Sequence, residues 1–124
     1  MESEHFSLFV ERNGDETVVR VTGEIDLATA PRLEDCLRRL DGQPIAVDFS
    51  AVTFMDASGI SVLVKTQRRV ADGALTLRGV QPAQLRVLEV TGVADRFNLD
   101  FRPHITGFES GPGPRRHDAR EIRA

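Results

Sequence analysis

Phe6, Leu8 and Val10 alternate with other residues, Asn13-Gly14 interrupts, and Val19 and Val21 resume the alternation. A period of two around an Asn-Gly pair predicts a hairpin of two antiparallel strands. The period then changes. Leu33, Cys36, Leu37 and Leu40 recur at i, i+3, i+4 and i+7, which makes one apolar stripe of a helix. Thr29 is its expected N-cap, and Pro31 falls in its first turn, where a missing N–H costs little. Gly42 closes it. The stretch "PIAVDFS" predicts a short strand buried on both faces. "ASGISVLVKTQRRVADG" predicts a second helix with Ile60, Leu63, Val64 and Val70 inward, Gln67 the weak position and Gly73 at its end. "ALTLRG" reads as a strand. "PAQLRVLEVTG" reads as a third helix between a proline and Gly92, and "RFNLDF" as a last short strand.

The order is β-β-α-β-α-β-α, with one further short strand. After the hairpin it alternates, which argues an α/β fold: an open mixed sheet, mostly parallel, packed against helices by right-handed crossovers. Loops at the carboxyl ends of such strands are where ligands and partners meet the fold. Two polar clusters fall there, "GEIDLAT" after the second strand and "FMDASG" after the third. From Pro103 the pattern fails. "GPGPRRHDAREIRA" joins Gly and Pro to mixed charges with one isoleucine. Residues 1–102 are therefore expected to form one domain, and residues 103–124 a mostly disordered tail.

The chain has 124 residues, 40% hydrophobic and 28% charged, enough for a domain with a real core. A net charge of −3 gives no electrostatic grip on nucleic acid. The acidic start "MESEHFSLFV" lacks the apolar stretch of a signal peptide, and no apolar run reaches the ~20 residues of a membrane span. One cysteine, Cys36, allows no intrachain disulfide and no cysteine metal cluster, and suits a reducing compartment. A cytoplasmic protein is expected, without direct nucleic-acid or membrane contact. Cys36 sits on the apolar stripe and reads as a small buried hydrophobe. Phe97 and Phe101 read as packing residues, and "RRHDAREIR" as a solvated segment.

The chemistry concentrates at Asp56-Ala57-Ser58-Gly59. Ser58 lies at or just inside the start of the second helix, where N–H groups lack intrahelical partners and the helix dipole favours an anion. A phosphate on Ser58 is tolerated there, or even bound by the backbone. Gly59 and Ala57 leave room for a second molecule to approach. Asp56 is the expected N-cap of this helix. Capping alone is the commoner use of such residues. A serine nucleophile needs a nearby base, but His5, His104 and His117 lie at the first strand or in the tail region, and no G-x-S-x-G elbow occurs. No P-loop is present, and Asp26, Asp48 and Asp56 are scattered without ligand spacing. Asp48 is expected at a strand end, bonded to nearby backbone. A phosphoaspartate receiver lacks its acidic pair and its late lysine, since Lys65 is the only lysine.

These residues carry a resemblance. "GEIDLATAP", "VDFSAVTFMDASGISVL" and "LEVTGVADRF", in this order over roughly Phe6 to Phe101, resemble the STAS domain family, in particular the bacterial anti-sigma-factor antagonists. The resemblance implies a binding module without catalysis or cofactor. It binds an anti-sigma factor, a GHKL-type serine kinase, and so releases a sigma factor. The kinase phosphorylates the serine of D-x-S-G, which ends binding, and a phosphatase reverses this. By motif, Ser58 is the phosphoacceptor, and Ser61, three residues on, is the second candidate hydroxyl. Asp56, Ala57, Ser58 and Gly59, with Asp26 and Thr29 on the adjacent loop, form the implied partner surface. A monomer or weak homodimer is expected. Two other members of the family remain as alternatives: a structural STAS subunit of a larger stress-signalling assembly, and a nucleotide-binding STAS domain.

Overall fold

The computed structural model describes residues 6–40, 42–102 and 119–122. Strands β1 (Ser7–Asn13) and β2 (Glu16–Ile25) form the hairpin, turning through Gly14 at φ +68. Helix α1 (Ala30–Arg38), strand β3 (Ile45–Met55), helix α2 (Ala57–Arg69), strand β4 (Leu75–Arg78), helix α3 (Pro82–Val90) and strand β5 (Asn98–Asp100) follow in alternation. Strand β6 (Ala119–Ile122) adds a sixth strand, so the sheet runs β5-β4-β3-β2-β1-β6. The pairs β2/β3, β3/β4 and β4/β5 are parallel, while β1 is antiparallel to both its neighbours. The expected mixed sheet is therefore present. Most of the expected tail lies outside the described residues, but Ala119–Ile122 form an edge strand that the sequence reading did not include.

One apolar cluster holds the layers together. Leu33, Cys36 and Leu37 of α1, Ile60 and Leu63 of α2 and Leu88 of α3 join the inward residues of β1 to β4 in it. All three helices thus share one face of the sheet. Two details differ from the pattern reading. On α2, Val62 and Thr66 are buried, whereas Val64 and Val70 only flank the core, and the helix stops at Arg69. Of the two late phenylalanines, Phe97 is buried and Phe101 is exposed.

Strand β3 extends five residues beyond "PIAVDFS" because it is bulged. Its inward positions are Ile45, Val47, Phe49, Val52 and Met55, so the spacing lengthens from two to three after Phe49. The register against β2 slips at the same two places. Bulges leave carbonyls unpaired, and α3 supplies the donors. The Gln81 side-chain amide donates to the carbonyl oxygens of Phe49 at 2.8 Å and Val52 at 3.0 Å, and Gln84 also reaches Val52.

The opposite face of the sheet is polar. Phe9, Arg20, Asp48, Arg78 and Asp100 occupy one register row across five strands. Asp48 lies inside β3, not at its end, and is fully buried. Its Oδ1 accepts from the Ser50 N–H and hydroxyl, and its Oδ2 faces Arg20 Nε at 3.5 Å, an ion pair too long for a hydrogen bond. Arg78 donates two bonds to Glu16 and faces Asp100 at 3.5 Å. The hydrogen bonds that Arg78 donates to Glu16, with the carboxylate's charge, push the guanidinium further above its ordinary range.

Two outcomes follow. Asp48→Ala removes the acceptor of the buried Ser50 N–H and hydroxyl bonds, so it should lower unfolding free energy by about 1–3 kcal/mol. Urea titration should show this as a lower midpoint with an unchanged slope. Burial pushes the Cys36 thiol up to about 11. The folded protein should therefore resist iodoacetamide at neutral pH and be alkylated rapidly once unfolded, as mass spectrometry would record.

Candidate functional site

Two loops meet at the end of the sheet where β2 and β3 finish and α1 and α2 begin. The Asp56 N–H donates to the Ile25 carbonyl at 3.1 Å, which ties one loop to the other. Each loop is then locked by its own side chains.

In the first loop, Asp26 Oδ1 accepts from the N–H groups of Ala28 at 3.0 Å and Thr29 at 3.1 Å. The Asp26 carbonyl accepts from Ala30 N–H, which starts α1. The Thr29 hydroxyl accepts from Asp26 N–H at 2.9 Å and donates to the Glu24 carbonyl at 2.8 Å. Thr29 does occupy the N-cap position, but with helical dihedrals and no capping bond from its side chain. Asp26 satisfies the turn in its place. Thr29 is also buried, so it presents no side chain to a partner. Its contribution to the expected docking surface is to hold the loop.

In the second loop Asp56 is the N-cap, as expected. Its backbone is extended, and its Oδ1 accepts from Ser58 N–H at 2.8 Å. Its carbonyl accepts from the N–H groups of Gly59 and Ile60. The first-turn donors at Ser58, Gly59 and Ile60 are thereby used. Those three donors are engaged by Asp56, and the Ala57 N–H at the helix start is not among them. Ser58 is half-buried, and Ala57 and Ser61 are exposed.

Gly59 has a different role from the one its small size suggested. It faces inward, and a Cβ there would lie 2.8 Å from both Ile25 Cγ2 and Met55 Cγ. The glycine lets α2 approach the ends of β2 and β3. It does not open a path for a second molecule.

The outer surface is acidic and apolar by turns. Glu24 is exposed, and Asp26 and Asp56 are half-buried. Leu27, at the tip of the first loop, is 80% exposed, and Phe54 is 49% exposed. The sequence reading assigned neither residue to the site. Leu27 falls off the α1 stripe, which was its available signal. Phe54 was hidden because the β3 bulges shift which residues face out.

Two substitutions test this wiring. Gly59→Ala should destabilise the fold by about 1–3 kcal/mol through overpacking, despite the better helix propensity of alanine. Thr29→Val keeps the shape but removes the hydroxyl that accepts from Asp26 N–H and donates to the Glu24 carbonyl, and should cost about 1–3 kcal/mol. A Gly59→Ala protein as stable as the wild type in urea would contradict the close approach.

Comparison with known proteins agrees with this architecture. The family model described as Mlab, STAS domain, matches residues 8–102. The anti-sigma-B factor antagonist of Listeria monocytogenes is 32% identical over 90 residues, covering 68% of this chain and 79% of that protein. The crystal structure of an anti-sigma factor antagonist from Mycobacterium paratuberculosis aligns with a TM-score of 0.68 at 31% identity, over 77% of this chain and 85% of that one. The Bacillus cell fate determinant SpoIIAA in its phosphorylated form shares the fold, with a TM-score of 0.57 at 20% identity over 74% of this chain and 89% of that one. The matched span holds the five strands of the alternating sheet, all three helices and both loops at Ser58: the chain belongs to the STAS domain family.

Proposed function

We propose that this protein is an anti-sigma-factor antagonist: a binding module that docks an anti-sigma factor through the Ser58 end of its sheet, frees a sigma factor, and is switched off by phosphorylation of Ser58. The observation that carries the reading is the pair of mutually locked loops around Ser58, Glu24–Thr29 and Asp56–Gly59. They hold a serine hydroxyl at the surface on a rigid support, as a docking site that is also an acceptor requires. The names of the relatives, anti-sigma factor antagonists at 31–32% identity, support it. So does the phosphorylated form of a protein with the same fold.

The physics of the switch follows from what surrounds Ser58. A serine phosphate adds about −1.5 to −2 charges at neutral pH. Glu24, Asp26 and Asp56 already make this end acidic, and Asp56 takes up the α2 donors at Ser58, Gly59 and Ile60. The new charge is left facing outward, toward the docked partner. Its effect is to break the complex without unfolding the domain. Among the described residues no helix is long and apolar enough to cross a membrane, which suits a partner met in solution. The acceptor chemistry belongs to the partner: a GHKL-type kinase transfers the γ-phosphoryl of ATP to Ser58 Oγ, and a phosphatase removes it. Ser61, one turn further along α2, is the second candidate hydroxyl. It lies beyond the segment where Asp56 caps the helix.

Titration of wild type, Ser58→Ala and Ser58→Asp against the anti-sigma kinases of the source organism tests the reading. Ser58→Ala should bind as the wild type does and take up no phosphate from ATP. Ser58→Asp should bind roughly tenfold or more weakly, the equivalent of about 1.4 kcal/mol. Equal binding by Ser58→Asp, or phosphate found by mass spectrometry on Ser61 alone, would contradict the assignment.

A further inference from the structure

The side chains that mark the two loops as a motif are largely turned inward. Thr29 is buried, Gly59 is packed against Ile25 and Met55, and the Asp26 and Asp56 carboxylates are engaged by backbone N–H groups. What this arrangement leaves outside at the loop tip is a leucine. Leu27 stands 80% exposed between Asp26 and Thr29, on a turn whose backbone is held by six hydrogen bonds within Glu24 to Ala30. Phe54, opposite Glu24 in the strand register, is the half-exposed apolar residue near the end of β3.

A leucine in that position gives folding almost nothing, because it stays in water. It is well suited to association. The turn is already rigid, so docking it costs little conformational entropy, and the apolar side chain is removed from water only in the complex. We propose that Leu27, supported by Phe54, is the apolar anchor by which this chain selects its anti-sigma partner: it enters an apolar pocket of the kinase beside the segment that engages Ser58. The inference rests on the partner reading above, since the occupant is the same protein that docks at Ser58. The anchor shares one locked unit with Ser58 through the Asp56–Ile25 hydrogen bond, so both meet the partner at once. Exposure alone does not make an anchor. Val90 is 79% exposed, but it ends α3 at the far end of the sheet from both loops.

Leu27→Ser, Leu27→Met and Val90→Ser, each as the full chain, should be titrated against the anti-sigma kinase that binds the wild type. Leu27→Ser should weaken binding roughly 10- to 100-fold, the range expected for losing one buried leucine side chain. Its unfolding midpoint should match that of the wild type. In the kinase reaction KM for the protein substrate should rise while kcat stays level. Leu27→Met should restore most of the affinity, and Val90→Ser should change nothing. If Leu27→Ser binds as tightly as the wild type, or if Val90→Ser weakens binding equally, the anchor is refuted while the Ser58 switch stands. If no anti-sigma kinase binds the wild type, the partner reading fails, and the anchor fails with it.

Discussion

The site at Ser58 depends on how closely α2 comes to the strands beneath it. Gly59 sits where a Cβ would be 2.8 Å from Ile25 and Met55, so only a residue without a side chain lets the helix begin there. Just before it, the parallel β2/β3 ladder ends with Asp56 N–H donating to the Ile25 carbonyl at 3.1 Å. The single bond converts two loops into one surface. Asp56 then caps the helix it introduces, and Ser58 is held at a fixed height above the sheet end. The β3 bulges contribute from below. They lengthen the strand to reach Met55, and Gln81 at the N-cap of α3 and Gln84 within it satisfy the carbonyls that the bulges free. A glycine, two bulges and two glutamines thus position one serine.

The same economy explains how a small domain can serve as a switch. Its polar motif residues stabilise loop shape, and in the proposed complex its apolar side chains meet the partner. A rigid surface loses little entropy on binding, and a rigid acceptor transmits an added charge straight to the partner. The acidic surroundings of Ser58 and the occupied helix donors leave a phosphate little internal compensation. The remote polar row on the other face, from Arg20 through Asp48 to Arg78 and Asp100, works within the sheet and does not approach the site.

Much of this was legible in the sequence, because the periodic elements obey local rules. The hairpin at Asn13-Gly14, the α1 stripe and the Asp56 cap follow from patterns within a few residues. What could not be read depends on distant partners. The bulges of β3 break the period of two, so the pattern ends the strand at Ser50 and leaves out "AVTFM", Phe54 included. Thr29 and Gly59 have the identities expected of a docking surface, yet their burial is set by Glu24 and Ile25, which only the fold brings near. Asp48 lies inside the strand, not at its end, because the bulges carry β3 on to Met55. Strand β6 is polar and short, and only pairing with β1 makes it a strand.

The central claim is that phosphorylation alters the charge of a locked surface and leaves the lock intact. Amide hydrogen exchange, compared between the unmodified chain and one carrying phosphoserine genetically encoded at position 58, tests it most directly. The account predicts equal protection in the two forms at Ala28, Thr29, Ala30 and Asp56, whose N–H groups tie the loops together. Loss of protection at these amides on phosphorylation would show that the switch works by unlocking the loops, and would contradict it.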